Sequence, residues 1–410
     1  MPKPPKPSAE PAAQGPLTGL KVLDAGSIFA GPMVGAHLGD LGADVIKVEP
    51  PKGEDVRRLG PSKNGVGLWW KVVARNKRIA AVDITRPEGA EVFRRLAANA
   101  DVVVENFRAG KMASWGLDYA RLSADNPGLI LLHISGYGAT GPYKDFPGFG
   151  TLAEAFSGFV YTNGQPDGPP TLPTFPVADT ATALIGCYSV LAAVLERQRS
   201  GKGQEVSLNL YEPLLSMMGN TVINYDQLGE IVERRGNRSK SSVPRNAYPT
   251  KDGRWVVVSS TTDAMAKRVF RAIGRLDLAD DPSLATNVLR AKRADEIDAT
   301  VAAWVKQRTQ AEALAALRAE DVASGPVNDA GQFLADPHVL AHESIATLDD
   351  PDLGRLRLPN VVPRFSRTPG RVRWAGKKAV GADTRALLTE CGYGPDEIAR
   401  LVAAGVIVAP

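Results

Sequence analysis

One carboxylate in the sequence combines a reactive side chain with a setting that suits ligand binding. Asp179 lies in FPVADTATALIGCYSVLAAVLERQRSGKG, residues 175–203, directly before an apolar pattern of helical period. An aspartate in that place predicts an N-cap, which typically stabilises a helix by about 1 kcal/mol. The loops before it are rich in glycine and proline, and a helix N-terminus that follows such loops also favours anionic ligands. The two roles are compatible, and capping is the usual one for an isolated aspartate.

The same aspartate also suits covalent catalysis. A carboxylate that is partly desolvated and held against an activated carbonyl can act as a nucleophile. Aspartate has an ordinary pKa of about 3.9 and is ionised at neutral pH, so this attack needs no general base. This matters because the chain has only four histidines. His338 and His342 are four residues apart but lack the acidic companion of a zinc-protease motif, and we predict no metal site.

A second motif, GYGATG at residues 136–141, matches the G-x-G-x-x-G dinucleotide fingerprint. That fingerprint needs a helix to begin at the third glycine, because the helix N-terminus holds the pyrophosphate. The sequence PYKDFPGFG follows instead, and its two prolines do not suit such a helix. We therefore predict a flexible turn that covers a ligand, in preference to a nicotinamide site.

Composition excludes several classes of protein. The chain has 49 Lys and Arg against 45 Asp and Glu, a formal charge of +4 with no run of five like charges, which argues against nucleic acid and suits a small anionic ligand. Its two cysteines, Cys187 and Cys391, cannot form a disulfide framework, so we expect a cytoplasmic protein. The longest apolar run, 181–195, is interrupted and short, so we predict no membrane span.

Short apolar runs alternate with helical patterns from Leu20 onward. KVLDAG, ADVIKVE, RIAAVDI, ADVVVEN and LILLHIS are nearly continuous in Val, Ile and Leu, as is typical of parallel strands covered on both faces. The pattern predicts an α/β protein with a large Rossmann-like domain, followed by a smaller α+β domain. The predicted segments are a disordered tail (1–16), the large domain (17–228 plus 335–410), the small domain (245–325) and two linkers (229–244 and 326–334).

Seven stretches in this order make the chain resemble the family III CoA-transferases, which include formyl-CoA and carnitine CoA-transferases. The stretches are GLKVLDAGSIFAGP, LGADVIKVEPPKGED, RNKRIAAVDITRPEG, ADVVVENFRAG, ISGYGATGPY, DTATALIGCYSVLAAVLERQRSGKGQEVSLNLYE and DPDLGRLRLPNVVPRFSRTPG. The resemblance implies that Asp179 is a covalent nucleophile, which exchanges CoA between organic acids through a mixed anhydride and an aspartyl-CoA thioester. It also implies that CoA enters as substrate, without a tightly bound cofactor.

The resemblance further implies contacts with CoA in the large domain. The implied positions are Ile28, Phe29, Val82, Arg86, Asn106, Phe107, Lys111 and Gly136. Phe107 would stack on the adenine, and basic side chains would meet the phosphates. Taken without the family, Val82 and Phe107 have the pattern of core residues and Arg86 that of a solvated one.

Departures from the family pattern narrow the activity. Phe29 and Ala139 replace a glutamine and a glutamate of the formyl-CoA enzyme, and its four-glycine flap has no counterpart, so we expect substrates other than formyl-CoA and oxalate. The related racemases pair the aspartate with a histidine where this chain has Phe149, so a two-base racemase lacks one base. A CoA-ester isomerase of that type and a catalytically silent CoA-binding protein remain as alternatives.

The acceptor and the assembly are also suggested by the resemblance. Arg245, with Arg234, Arg235 and Arg238 upstream, predicts either a bidentate clamp for a second carboxylate or a solvated basic linker. The clamp would suit succinyl-CoA or another dicarboxylyl-CoA as donor. The family is built from two interlocked chains, which implies an intertwined homodimer that does not separate without unfolding.

Overall fold

A computed structural model describes residues 15–410, so the predicted tail lies outside the described residues apart from its last two positions. The strands are β1 (Lys21–Asp24), β2 (Asp44–Glu49), β3 (Ser62–Lys63), β4 (Val66–Gly67), β5 (Lys77–Val82), β6 (Val102–Glu105), β7 (Ile130–Ser135), β8 (Glu205–Asn209), β9 (Arg245–Pro249), β10 (Trp255–Ser259), β11 (Ser324–Pro326), β12 (Ile345–Asp350), β13 (Gly354–Pro359) and β14 (Ile407–Val408).

The helices connect these strands in chain order. They are α1 (Ala30–Asp40), α2 (Leu68–Val73), α3 (Pro87–Ala98), α4 (Lys111–Ser114), α5 (Tyr119–Asp125), α6 (Gly150–Phe156), α7 (Phe159–Thr162), α8 (Val177–Ser200), α9 (Glu212–Met217), α10 (Thr221–Leu228), α11 (Asp263–Ala272), α12 (Leu276–Ala279), α13 (Asn287–Lys292), α14 (Ala294–Lys306), α15 (Gln310–Ala319), α16 (Ala330–Ala335), α17 (Pro337–Ala341), α18 (Thr384–Glu390) and α19 (Pro395–Ala403).

The Val, Ile and Leu runs form a seven-stranded sheet in the order β14-β5-β2-β1-β6-β7-β8. All neighbouring pairs are parallel except β14 with β5. Without β14, the order is that of a Rossmann sheet, with β1 and β6 at the point where the connections change direction. The prediction of a Rossmann-like domain is confirmed.

Helices cover both faces of this sheet, which explains why its strands are apolar on both sides. On one face, α1 and α8 contribute the buried side chains of Val34, Leu38 and Val190. On the other, α3 and α18 contribute Phe93 and Leu388. Burying both faces makes the sheet a rigid base for the loops that leave its strand ends.

Helix α8 begins at Val177, two residues before the predicted start, with Pro176 in the N-cap position. Asp179 therefore lies within the first turn, and the prediction that it is the N-cap is wrong. The pre-set φ of proline suits the start of a helix, which moves the beginning of the helix towards it. At 24 residues and a mean hydropathy of 1.6 in its most apolar window, α8 is long and apolar enough to cross a membrane, as core helices also can be.

The chain divides into two units, and the second contains residues 160–171 and 223–340. It is built on the antiparallel sheet β11-β10-β9, with α11, α14 and α15 around a core that includes Val258 and Val301. Residues 160–171, expected in the large domain, belong here because the N–H of Gly236 donates to the carbonyl of Gly164 at 2.8 Å. The second unit therefore begins earlier in the chain than the predicted small domain, 245–325.

Candidate active site

The switch point of the sheet opens a cavity of about 490 Å³ in the first unit. The loop after β1 and the residue after β6 meet there. Asn106 accepts a hydrogen bond from the N–H of Ser27 at 2.6 Å and donates to its carbonyl at 2.9 Å. In open α/β sheets, ligands bind at the carboxyl ends of the strands at such a point, so topology alone makes this cavity the candidate site.

Asp179 reaches the cavity from the first turn of α8. The backbone N–H of Ala30, the first residue of α1, and the N–H of Asp179 itself favour the charged form of this carboxylate. The N-termini of two helices therefore converge on one carboxylate, where their unpaired N–H groups favour negative charge. Gly150 makes the approach possible, because a Cβ at that position would collide with the Asp179 carboxylate.

A second carboxylate, Glu154, lines the same cavity and was missed by sequence reasoning. It lies on α6 and is 3% exposed, and its Oε1 accepts a hydrogen bond from the N–H of Ala178 at 3.1 Å. The sequence feature that could have indicated Glu154 is its position four residues after Gly150, since residues four apart share one face of a helix. Glu154 thus accepts a hydrogen bond from one of the N–H groups in the first turn of α8, beside Asp179.

Burial, and then the charge of Glu154, raise the pKa of Asp179 to about 6 in spite of the N–H groups of Ala30 and Asp179, which act in the opposite direction. Desolvation disfavours the charged form of a carboxyl group, and so does a neighbouring carboxylate. Asp179 is therefore ionised at neutral pH but more basic than a solvated aspartate. These are the properties of a carboxylate nucleophile.

Aromatic side chains form a large part of the remaining cavity wall. Phe29 packs edge-on against Trp69 with ring centroids 4.7 Å apart, and Phe149 and Phe175 extend the apolar surface. Among the described residues that line the cavity, the ionisable ones are Asp179 and Glu154. Such walls exclude water from an acyl intermediate, which would otherwise hydrolyse.

Four of the positions expected to contact CoA line this cavity with Asp179: Ile28, Phe29, Asn106 and Gly136. Gly136 lies so close to Gly148 that a Cβ on either would collide with the other. The GYGATG motif is a loop, and the next helix begins only at Gly150, so no helix N-terminus is available to a dinucleotide pyrophosphate there.

The other four expected CoA positions lie away from the cavity lining. Val82 is 1% exposed within strand β5, and the ring of Phe107 packs edge-on against Trp115 at 5.0 Å. Arg86 donates to the carbonyl of Ala404 at 2.7 Å, and Lys111 is exposed at the start of α4. The structure thus brings half of these positions together around Asp179.

The expected arginine cluster lines a different cavity, of about 360 Å³, in the second unit. Arg238 is paired there with Asp298 at 2.6 Å, whereas Arg245 is exposed and makes no ion pair with a described residue. The Oγ atom of Ser242, also in the lining, is buried without a hydrogen-bond partner. We call this the basic cavity; an anion there would meet unpaired cationic groups.

The racemase alternative needs a second base at the position of Phe149. That side chain is 64% exposed and lines the Asp179 cavity, but it carries no titratable group. A metal-dependent alternative has no support within residues 15–410, where no three His, Cys, Asp or Glu side chains are grouped to hold an ion. What the cavity holds is a buried carboxylate, Asp179, beside a second one, Glu154.

Comparison with known proteins identifies the family of the chain. The sequence profile of CoA-transferase family III matches residues 17–384, and the chain belongs to that family of enzymes. Succinyl-CoA–D-citramalate CoA-transferase of Chloroflexus aurantiacus is 41% identical, over 96% of this chain and 98% of that protein. The beta subunit of succinyl-CoA–L-malate CoA-transferase of the same organism is 40% identical, over 92% and 94%. A CaiB/BaiF family protein from Brucella suis has the same fold, with a TM-score of 0.83 and 33% identity over 92% and 100%.

Proposed function

We propose that this chain transfers CoA from succinyl-CoA to a dicarboxylic acid, with Asp179 as the covalent nucleophile. The observation that carries the proposal is the buried Asp179 carboxylate between two helix N-termini in an apolar cavity. The names of the two Chloroflexus relatives support both the donor and the class of acceptor, because each names succinyl-CoA and a dicarboxylic acid.

The reaction begins when an Asp179 oxygen attacks the thioester carbonyl of succinyl-CoA. The C–S bond breaks, and a mixed succinyl-aspartyl anhydride and CoA thiolate form. The thiolate then attacks the aspartyl carbonyl of the anhydride, releasing succinate and leaving an aspartyl-CoA thioester. The acceptor carboxylate attacks this thioester, the C–S bond breaks, and an acceptor-aspartyl anhydride and CoA thiolate form. The thiolate then attacks the acceptor carbonyl of the anhydride, which gives the acceptor-CoA thioester and restores the Asp179 carboxylate. Neither water nor a net proton is consumed, which is why the apolar walls matter.

Ala30 supports this chemistry through its backbone. Its N–H already donates to the Asp179 carboxylate at the N-terminus of α1. An N–H group fixed in this way stabilises negative charge on an oxygen as the tetrahedral intermediates form and collapse. We assign it to the oxyanion-stabilising set.

CoA binding rests on the family positions. Ile28, Phe29, Asn106 and Gly136 line the cavity, which supports a pantetheine path next to Asp179. For Val82, Arg86, Phe107 and Lys111, we propose contacts with the nucleotide on the strength of the family resemblance alone.

We further propose that Arg245 binds the second carboxylate of a dicarboxylic substrate. Its guanidinium is exposed and free of ion pairs with described residues, and a guanidinium binds a carboxylate through two parallel hydrogen bonds. Arg234, Arg235 and Arg238 line the same basic cavity and add positive charge.

For assembly and location, we propose an intertwined homodimer in the cytoplasm. Helix α8 exposes Leu184, Tyr188 and Leu195, and Met217 on α9 is also exposed, which supports burial of this apolar surface by a second copy. Both cysteines are free, which fits a reducing compartment. Sedimentation across a dilution series tests the dimer, and a monomer at low concentration with retained fold would contradict it.

Intact-protein mass spectrometry tests the reaction. The protein is incubated with succinyl-CoA, acetyl-CoA or formyl-CoA, with and without hydroxylamine, beside the Asp179→Ala variant. We expect a CoA-sized adduct on the unmodified protein with succinyl-CoA, absent from the variant and removed by hydroxylamine. CoA binding without any adduct would favour the silent binder or the isomerase instead.

A further inference from the structure

Four buried charged side chains lie beneath the active-site loop, outside the cavity lining. They are Asp24, Lys47, Glu54 and Lys77, each at most 3% exposed. The Nζ atom of Lys77 lies 2.7 Å from Asp24, and that of Lys47 lies 3.1 Å from Glu54 and 3.9 Å from Asp24. Removing charges from water is costly even when they are paired, so this cluster calls for an explanation beyond stability.

The cluster is hydrogen-bonded to the backbone of the loop between β1 and α1 and of the first turn of α1. Asp24 accepts from the N–H of Gly26 at 2.9 Å, and Lys47 donates to the Gly26 carbonyl. Lys77 donates to the carbonyl of Pro32 at 2.5 Å. Its four members therefore act on one short segment, because Glu54 also reaches the loop.

Glu54 binds the residue of the loop that most needs support. Its Oε1 accepts from the N–H of Ile28 at 2.6 Å, and Ile28 has a φ of +63°. A β-branched residue is strained in this left-handed region and stays there only when its surroundings hold it. Two residues further on, the N–H of Ala30 favours the charged form of the Asp179 carboxylate.

We propose that Asp24, Lys47, Glu54 and Lys77 form a positioning cluster, which holds the loop at Ile28 in the strained conformation that directs the Ala30 N–H to Asp179. Glu54 is its critical member because it fixes Ile28 directly. These residues act through the backbone of the loop and do not touch the reacting atoms. The inference rests on the proposed function in one respect, that Asp179 is the nucleophile.

The proposal predicts a change in the pKa of Asp179 when the cluster is disrupted. The Ala30 N–H lowers the pKa of Asp179, whereas burial and the charge of Glu154, on α6, raise it. If the loop relaxes, Asp179 loses the N–H and its pKa rises further. The pH at which the nucleophile becomes protonated then moves upward.

The test compares Glu54→Leu with Lys71→Met as a matched control. Lys71 is 1% exposed and paired with Asp350 at 2.7 Å and Asp352 at 2.6 Å, neither of which belongs to the loop or to the cluster. Both variants are expected to lower thermal stability, because each leaves buried charge without its partner. Glu54→Leu alone is expected to slow formation of the aspartyl-CoA adduct about 10-fold to 100-fold, and Glu54→Gln, which keeps an acceptor oxygen, to slow it less.

Ile28→Gly in the Glu54→Leu background separates positioning from general damage. Glycine adopts a positive φ without strain, so it is expected to recover part of the lost adduct rate. An adduct rate in Glu54→Leu equal to that of Lys71→Met, or losses that simply add in the double variant, would overturn the proposal.

The titration of Asp179 is measured without substrate, by ¹³C NMR of aspartate-labelled protein with Asp179→Asn as the assignment control. A pKa of Asp179 that rises in Glu54→Leu but not in Lys71→Met supports the cluster, and an unchanged value contradicts it. Absence of any adduct on the unmodified protein would instead defeat the proposed function, and this titration would still decide the role of the cluster. If Glu54→Leu does not fold, Glu54→Gln takes its place in the same titration.

Discussion

In the Asp179 cavity, the polar contacts come from backbone N–H groups and two buried carboxylates, whereas the basic cavity of the second unit draws them from arginine side chains at the surface. The first arrangement places charge in a medium of low polarity, where small displacements change reactivity strongly. The second leaves Arg245 in contact with water, where its charge attracts an anion without altering bonds. This difference is why we propose chemistry at the first cavity and recognition at the second.

The largest effect is expected from Asp179→Ala. Removal of a covalent nucleophile should lower turnover about 10⁴-fold or more, because the remaining binding groups do not replace the covalent route. CoA exchange between succinyl-CoA and L-malate or D-citramalate, followed by chromatography, measures this. Residual turnover within about 10-fold of the unmodified protein would contradict the division of roles between the two cavities.

Gly150→Ala should be the next most severe change. The added methyl group would collide with the Asp179 carboxylate and displace it from the Ala30 N–H. A misplacement of about 1 Å can cost roughly 100-fold in rate. The same exchange assay measures the loss, and unchanged circular dichroism controls for the fold. Normal turnover in this variant would mean that the close packing around Asp179 is dispensable.

Arg245→Ala tests whether the basic cavity recognises dicarboxylic acceptors. Loss of a charged hydrogen-bonding partner is expected to raise KM for dicarboxylic acceptors about 10-fold, with little change for monocarboxylic ones. Arg235→Ala, in the lining of the same basic cavity, is the matched control for loss of positive charge. Equal changes for both classes of acceptor would leave Arg245 as a solvated surface residue.

Glu154→Gln should change the pH dependence more than the maximal rate. Glutamine can still accept from the N–H of Ala178, but it removes the charge that raises the pKa of Asp179. The acid limb of the rate, near pH 6 in the unmodified protein, should move to lower pH by roughly half a unit to one unit. A pH–rate profile of adduct formation measures it. Movement to higher pH, the direction expected for Glu54→Leu, would contradict this role for Glu154.

The smallest expected effect concerns stability. Asp179 has a pKa of about 6 in the folded protein against 3.8 for a free side chain, so the folded state binds more protons between those values. Stability should therefore fall as pH rises from about 4 to 6 and stay lower above that. Asp179→Asn removes this cost and should add about 1 to 2 kcal/mol to the free energy of unfolding at pH 7. Denaturant unfolding at pH 4.5 and 7.5 measures the difference, and no gain at pH 7.5 would argue against a desolvated carboxylate.

The parts of the fold and site that could be predicted are those marked by residues close together in the sequence. The apolar runs marked β1, β2, β5, β6 and β7 of the main sheet, and glycine and proline marked the loop at residues 136–149. Such signals lie within a few neighbouring residues. The early start of α8 at Val177 was missed because Asp179 is a favoured N-cap residue, whereas the structure has Pro176 in that position.

The sequence by itself determined the class of fold, the family and the candidate nucleophile, because strand composition, motif order and the position of Asp179 before a helix are all properties of the chain as written. Only the tertiary structure decided what surrounds that nucleophile. Glu154, the Ala30 N–H and the support of Ile28 by Glu54 depend on segments that are distant in sequence and meet at the switch point of the sheet. Reactivity depends on burial and on charges within a few ångström, and packing sets both.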